Sequence, residues 1–210
     1  MPRQPRLLLS QSYYHIMTRG NNKNIVFKCD ADYQYYLSLI LRYKAEHSFE
    51  LYHYCLMSNH THFLVKTKKA KNFSVFMKKI NLAYFHHYRQ EYGWIGHFWQ
   101  GRYKSKPVGR DEYFIEAGKY IELNPVRKGI VNNPDNYPYS SYRYYAYGDN
   151  NQLITEDVFY CEMGKSNKDC QEKYKELIVS EIMISNYKKT VWGTPKECYK
   201  ESQKIKRYLK

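Results

Sequence analysis

The chain reads as an α+β protein: a ferredoxin-like, split βαβ core in which an antiparallel sheet of about four strands carries helices on one face, followed by a C-terminal helical appendage. Three observations predict this. Four short segments of strand character alternate with three longer segments whose apolar residues recur at helical spacing, in the order β-α-β-β-α-β-α. The 210 residues suffice for one domain plus an appendage. A composition 43% hydrophobic and 18% aromatic can bury a core, unlike that of a disordered chain.

The first strand is Tyr13 to Arg19, closed by the turn sequence Gly20-Asn21-Asn22. Ala31 to His47 is a helix, with Leu37, Ile40 and Leu41 at helical spacing and Asp30 placed to cap it. Leu51 to Met57 and His60 to Thr67 are strands joined at Ser58-Asn59 as a hairpin. Lys68 to Asn72 reads as a basic loop. Phe73 to Tyr92 is the second long helix, with Ser74 available as a cap. A Trp- and Gly-rich loop leads to the fourth strand, Arg102 to Val108. Asp111 to Asn124 is the third helix, with Asp111 or Glu112 near its start, and Pro125 stops it by disfavouring helical geometry at Asn124. After Val131 come turn residues, an aromatic stretch from Tyr137 to Tyr147, and a charged helical tail from Cys161 to Lys210. The division expected is a main domain at 1–147 and a basic, mainly helical extension at 148–210.

Lysine and arginine number 34 against 20 acidic residues, a net charge of +14. Such a surplus calls for a polyanionic partner. No basic amphipathic segment suits a membrane surface, which leaves nucleic acid. From Lys66 to Arg110 there are eleven basic residues and one acidic residue, Glu91. The 25 tyrosines interleave aromatic faces with cations, an arrangement suited to unstacked bases, although most tyrosines are accounted for as half-buried strand and helix residues. No stretch approaches the roughly 18 apolar residues of a membrane span, and Leu7-Leu8-Leu9 is too short for a signal peptide. Five cysteines without a C-x-x-C pair read as free thiols. The expected location is the cytosol, associated with the nucleoid.

His60-Thr61-His62 is the first chemical signal. Alternate side chains of a strand share a face, so both imidazoles project together. Two histidines so spaced can bind one divalent cation, and two histidines packed on a sheet face have the same spacing. Tyr120 and Asn124 are the second signal: four apart on a helix, they lie one turn from each other. A tyrosine can be a nucleophile, and an asparagine carbonyl can complete a hard-metal shell. With 25 tyrosines, such a pair also arises by chance.

The segments Phe98-Trp99-Gln100-Gly101-Arg102-Tyr103-Lys104-Ser105, Lys119 to Gly129 (KYIELNPVRKG) and Ser140-Ser141-Tyr142-Arg143 closely resemble the single-tyrosine HUH transposases, nearest the REP-associated tyrosine transposases. Upstream, Thr18 to Asn22 (TRGNN) and Leu56 to Val65 (LMSNHTHFLV) match in the same order, so the likeness spans Tyr13 to Tyr147, about two thirds of the chain. Two positions depart from the family pattern: Thr61 stands where an apolar residue is usual, and Ser58 where proline is usual. Thr61 is a good strand residue pointing away from the metal.

The resemblance implies the ferredoxin-like core and places the nucleophile at Tyr120. It implies Mg²⁺ or Mn²⁺ held by His60, His62 and Asn124; apart from the resemblance, Glu116, one turn before Tyr120 on the same face and a better cation ligand than an amide, competes as the third ligand. It also implies a single-stranded DNA substrate beside a hairpin, cut by forming a 5′-phosphotyrosine link that another 3′-hydroxyl can reverse. Tyrosine's ordinary pKa of about 10 leaves little phenolate at neutral pH, and a cation with basic surroundings favours that form. Lys66, Lys68, Lys78, Lys79, Arg102, Lys104 and Lys106 are placed to hold phosphates, and Arg19, Asn21 and Asn22 to contact backbone or guide bases. Trp94 and Trp99 suit either core packing or base stacking. His15, His53, His86, His87 and His97 are read as non-ligands. The long C-terminal region resembles that of the branch that acts as monomers, which implies a monomer, with a dimer left open. Two other readings remain: a replication initiator or relaxase, for which Tyr113 would be a second tyrosine, and a catalytically inactive hairpin-binding protein.

Overall fold

The structure, a computed structural model, describes residues 8–109 and 112–192. Arg110, Asp111, Cys198 and the tail beyond 192 lie outside the described residues, as does the Tyr113 side chain. Four strands, β1 (Ser12–Arg19), β2 (Phe49–Met57), β3 (His60–Thr67) and β4 (Lys104–Val108), form one antiparallel sheet in the order β2-β3-β1-β4. Helix α1 (Asp30–Glu46) connects β1 to β2, and α2 (Ala70–Tyr92) connects β3 to β4. This is the expected split βαβ arrangement.

Each strand sends alternate residues to opposite faces. One face carries Tyr14, Ile16, Tyr54, Leu56, Phe63 and Val65. These pack against Tyr36, Leu39 and Ile40 of α1 and Phe73, Met77, Ile80 and Tyr84 of α2 in the main core. The opposite face is covered as well: Cys55, Met57 and Leu64 pack with Phe114 and Ile121 of α3 (Glu112–Glu122). The expectation of helices on one face therefore holds for α1 and α2, and α3 lies on the other. Strand β3 explains this, because it is buried along nearly its whole length and needs cover on both sides.

Several ends differ from the sequence reading. Asp30 is the first residue of α1 rather than its cap. Cys29 holds the cap position, and the Asp32 carboxylate accepts from the amides of Lys28 and Cys29. Helix α2 begins at Ala70, inside the segment expected as a loop. Ser74 is therefore not its cap, and its hydroxyl meets that of Tyr103 at 3.1 Å. Gly93 ends α2 at φ 63°, a left-handed conformation that glycine adopts without strain.

Beyond α3 come α4 (Asn124–Arg127), α5 (Tyr142–Tyr147), α6 (Val158–Glu162) and α7 (Asn167–Trp192). The extension packs back on the main domain. Cys170, Tyr174 and Ile178 of α7 share a core with Tyr142 and Tyr145 of α5 and with Leu123. Glu122, fully buried at the end of α3, accepts from Ser141 Oγ at 2.5 Å and from Tyr174 OH at 2.6 Å, and pairs with His53 Nδ1 at 2.8 Å. Burial alone would lower the His53 pKa; Glu122, with Asp157 on its other side, raises it to about 9. Gly118 lets α3 approach this histidine, since a Cβ there would lie 2.8 Å from His53 Nε2.

Candidate active site

The strand register sets the site. Arg19 stands opposite His60 and Met17 opposite His62 across β1 and β3; Lys104 faces Met17 and Lys106 faces His15 across β1 and β4. Directly paired residues share a face, so His15, Arg19, His60, His62, Lys104 and Lys106 all project toward α3. Thr61 points the other way and is fully buried.

The two histidines sit together, with ring centroids 4.7 Å apart. Each uses its Nδ1 on a neighbour: His60 Nδ1 meets Asn59 Oδ1 at 2.6 Å, and His62 Nδ1 meets His15 Nε2 at 2.8 Å. His62 is 2% exposed, and its Nε2 is buried with no hydrogen-bond partner. All three imidazoles are held neutral near pH 7. Burial and then the Arg19 and Lys128 charges lower His60 to about 4; burial and then Lys106 lower His15 to about 4; burial and the two neighbouring histidines lower His62 to about 2. Neutral imidazole is the form that offers a lone pair to a metal.

Tyr120, on α3, comes down over this face. Its ring lies 6.0 Å from that of His62 and 5.8 Å from that of His15, and the side chain is 44% exposed. A solvent-facing cavity of about 670 Å³ opens beside it, lined by His15, Met17, Lys106, Pro107, Ala117 and Arg127 among others. The Arg127 guanidinium lies 5.1 Å from the centre of the Tyr120 ring and pairs with Glu181 of α7 at 3.1 Å.

Asn124 follows the end of α3, buried. Its side-chain amide donates to the carbonyls of Tyr120 at 2.8 Å and Ile121 at 3.3 Å, which leaves its oxygen to act as acceptor. Glu116 is exposed, ion-paired with Lys119, and lines the same cavity as His15 and Tyr120. Among the described residues, no three His, Cys, Asp or Glu side chains gather as a metal site.

The basic residues chosen from sequence divide. Arg19, Lys104 and Lys106 belong to the site face. Arg102 and the turn residues Asn21 and Asn22 flank the strand ends, with the Asn21 amide bonded to the Phe98 carbonyl at 2.8 Å. Lys66 and Lys68 lie near the far end of β3, roughly 20 Å from His60 at 3.3 Å per residue, and face Glu50 at 3.8 and 3.6 Å. Lys79 pairs with Glu46 at 2.6 Å on the same α2 that carries Lys78. Trp99 donates to the Asn81 carbonyl and packs on the core, as Trp94 does. From sequence, His15 has no role beyond that of a non-ligand, and Arg127 and Lys128 have none beyond their place in the KYIELNPVRKG motif. Arg127 carries no local signal, because Pro125 reads as ending the helix before it, and α4 (Asn124–Arg127) instead turns its guanidinium over the Tyr120 ring.

Residues 8–124 match the family described as IS200-like transposases. Among solved structures, a REP-associated tyrosine transposase bound to a REP hairpin aligns with a TM-score of 0.61 and 19% identity, over 75% of this chain and 93% of that one. A candidate transposase from Deinococcus radiodurans R1 aligns with a TM-score of 0.36 and 18% identity, over 58% of this chain and 96% of that one. No curated protein matches the chain. Among the described residues, no helix is long and apolar enough to cross a membrane.

Proposed function

Because the chain belongs to the IS200-like transposase family, we propose that it cuts and rejoins single-stranded DNA beside a hairpin through a 5′-phosphotyrosine link to Tyr120. The observation that supports this most is the meeting of the Tyr120 ring with His62, 58 positions distant in sequence, over one face of the sheet.

The residues present fit a divalent cation, Mg²⁺ or Mn²⁺. Both imidazoles have Nδ1 engaged, and His62 Nε2 is a buried nitrogen without a partner. His60, His62 and the Asn124 oxygen would hold the ion. When bound, it supplies positive charge that neutralises a non-bridging phosphate oxygen and orients the phosphate.

The protein's own groups do the rest. Arg19, Lys104 and Lys106 line the face on which the phosphate would rest, and Arg127 and Lys128 add charge beside the tyrosine and His60. Such pre-placed cations stabilise the charge that grows in the transition state. Helix α3 holds the phenol beside the histidines, so the oxygen attacks an oriented phosphorus. The phenol gives its proton to solvent, the Tyr120 O–P bond forms as the P–O3′ bond breaks, and the leaving 3′-oxygen takes a proton from solvent to become a hydroxyl. A later 3′-hydroxyl reverses the exchange, so no nucleotide hydrolysis is required. The target strand must be unpaired to reach the cavity beside Tyr120. The hairpin held by the solved transposase fits the surplus of positive charge here, and we place the reaction in the cytosol on the nucleoid.

The test is to incubate the protein with Mn²⁺ and an oligonucleotide carrying a hairpin, digest it, and weigh the peptides. A nucleotide adduct on the peptide containing Tyr120 supports the reading; an adduct confined to another tyrosine, such as Tyr113, contradicts it.

A further inference from the structure

We propose that His15 is a positioning residue for His62: it accepts the His62 Nδ1 proton and thereby fixes the tautomer that turns a lone pair on Nε2 toward the cation site. This rests on the reading of His60 and His62 as metal ligands.

The geometry leaves two assignments for the 2.8 Å contact between His15 Nε2 and His62 Nδ1, because one proton lies between two nitrogens. If His15 donated, His62 would carry its own proton on Nε2. That nitrogen is buried and faces no acceptor, so its N–H would be stranded. If His62 donates, Nε2 carries a lone pair instead, and a cation satisfies it. A metal-bound histidine generally donates its other ring N–H to a nearby acceptor that sets its orientation and basicity. Asn59 stands in this relation to His60, from the adjoining chain position. For His62 the acceptor comes from a different strand, β1, and is itself an imidazole.

His15 is not suited to be a third ligand. Its Nε2 is committed to His62, and the three histidines do not gather as a metal group. It also touches the nucleophile, its ring lying 5.8 Å from that of Tyr120. One side chain thus packs against both the ligand and the attacking residue. A loss at position 15 should disturb the orientation of His62 before anything else.

The test uses the full chain and two variants, His15→Ala and His15→Gln; the Gln carbonyl can stand near the position of His15 Nε2. In metal-free protein, ¹⁵N shifts of the His62 ring report the tautomer, and Mn²⁺ titration followed by electron paramagnetic resonance reports affinity. The wild type should show His62 protonated on Nδ1. His15→Ala should give mixed tautomers and bind Mn²⁺ about 10- to 100-fold more weakly, and His15→Gln should recover most of both. An unchanged tautomer and unchanged affinity in His15→Ala would overturn the role of His15 while leaving the metal reading intact. A wild type that shows the Nδ1 tautomer yet binds no Mn²⁺ would overturn the metal reading, and with it the purpose assigned to His15.

Discussion

Pro125 has no amide proton, so the carbonyl of Ile121 loses the donor that a continuous helix would give it. The Asn124 side-chain amide donates there and to the Tyr120 carbonyl instead. This leaves one oxygen on a residue locked to the backbone of the proposed nucleophile. Replacing Asn124 by Ala removes the oxygen and the two bonds together. DNA cleavage with Mn²⁺ should then fall by about 10- to 100-fold, while Glu116→Gln stays at the wild-type level; single-turnover assays compare the two. His60, His62, Tyr120 and Asn124 stand out as candidates from spacing and resemblance because they lie within short motifs. His15 was not. A lone histidine on a strand has no local pattern, and its value comes from the register that sets β1 against β3, a pairing 47 residues apart.

At the scale of elements, α3 is held from behind by a buried charge. Glu122 pairs with His53 of β2, accepts from Ser141 next to α5, and accepts from Tyr174 of α7. Removing one partner of such a pair leaves the other charge buried and alone. Glu122→Ala should cost about 3–5 kcal/mol in urea unfolding. The pH dependence follows from His53, whose pKa rises from the ordinary 6.5 to about 9. Below pH 6.5 the ring is protonated in folded and unfolded chains alike, and the contribution is whole. Above it the unfolded chain loses the proton first, so stability is lost as pH rises through about 9. The melting temperature should fall between pH 6.5 and 9, and that fall should flatten in His53→Gln. The strands were readable within about two residues, because alternation and the Ser58-Asn59 turn are local signals. That α3 would cover the second face was not readable: β3 is buried on both sides, and nothing within one strand says which helix lies over which face.

Across the whole molecule, the charge is less uniform in effect than in count. The net surplus of +14 includes lysines already facing carboxylates, such as Lys79 with Glu46 and Lys68 with Glu50. Arg19 and Lys106 instead share the face with the three imidazoles. Binding of single-stranded DNA should weaken steeply with salt, and Lys106→Ala should reduce the slope of log affinity against log salt by about 0.7. Lys79→Ala should change it less; fluorescence anisotropy over a salt series separates them. Helix α7 packs on α5 and pairs through Glu181 with Arg127, which lies over the Tyr120 ring, so the C-terminal segment is tied to the proposed tyrosine of its own chain. In the proposed reaction Tyr120 bonds covalently to DNA with the help of a divalent ion. A denaturing gel of protein, hairpin oligonucleotide and Mn²⁺ tests it most directly. The wild type should give a slow-migrating covalent band, absent with Tyr120→Phe and absent with EDTA; a band that survives either change would refute metal-assisted attachment at Tyr120.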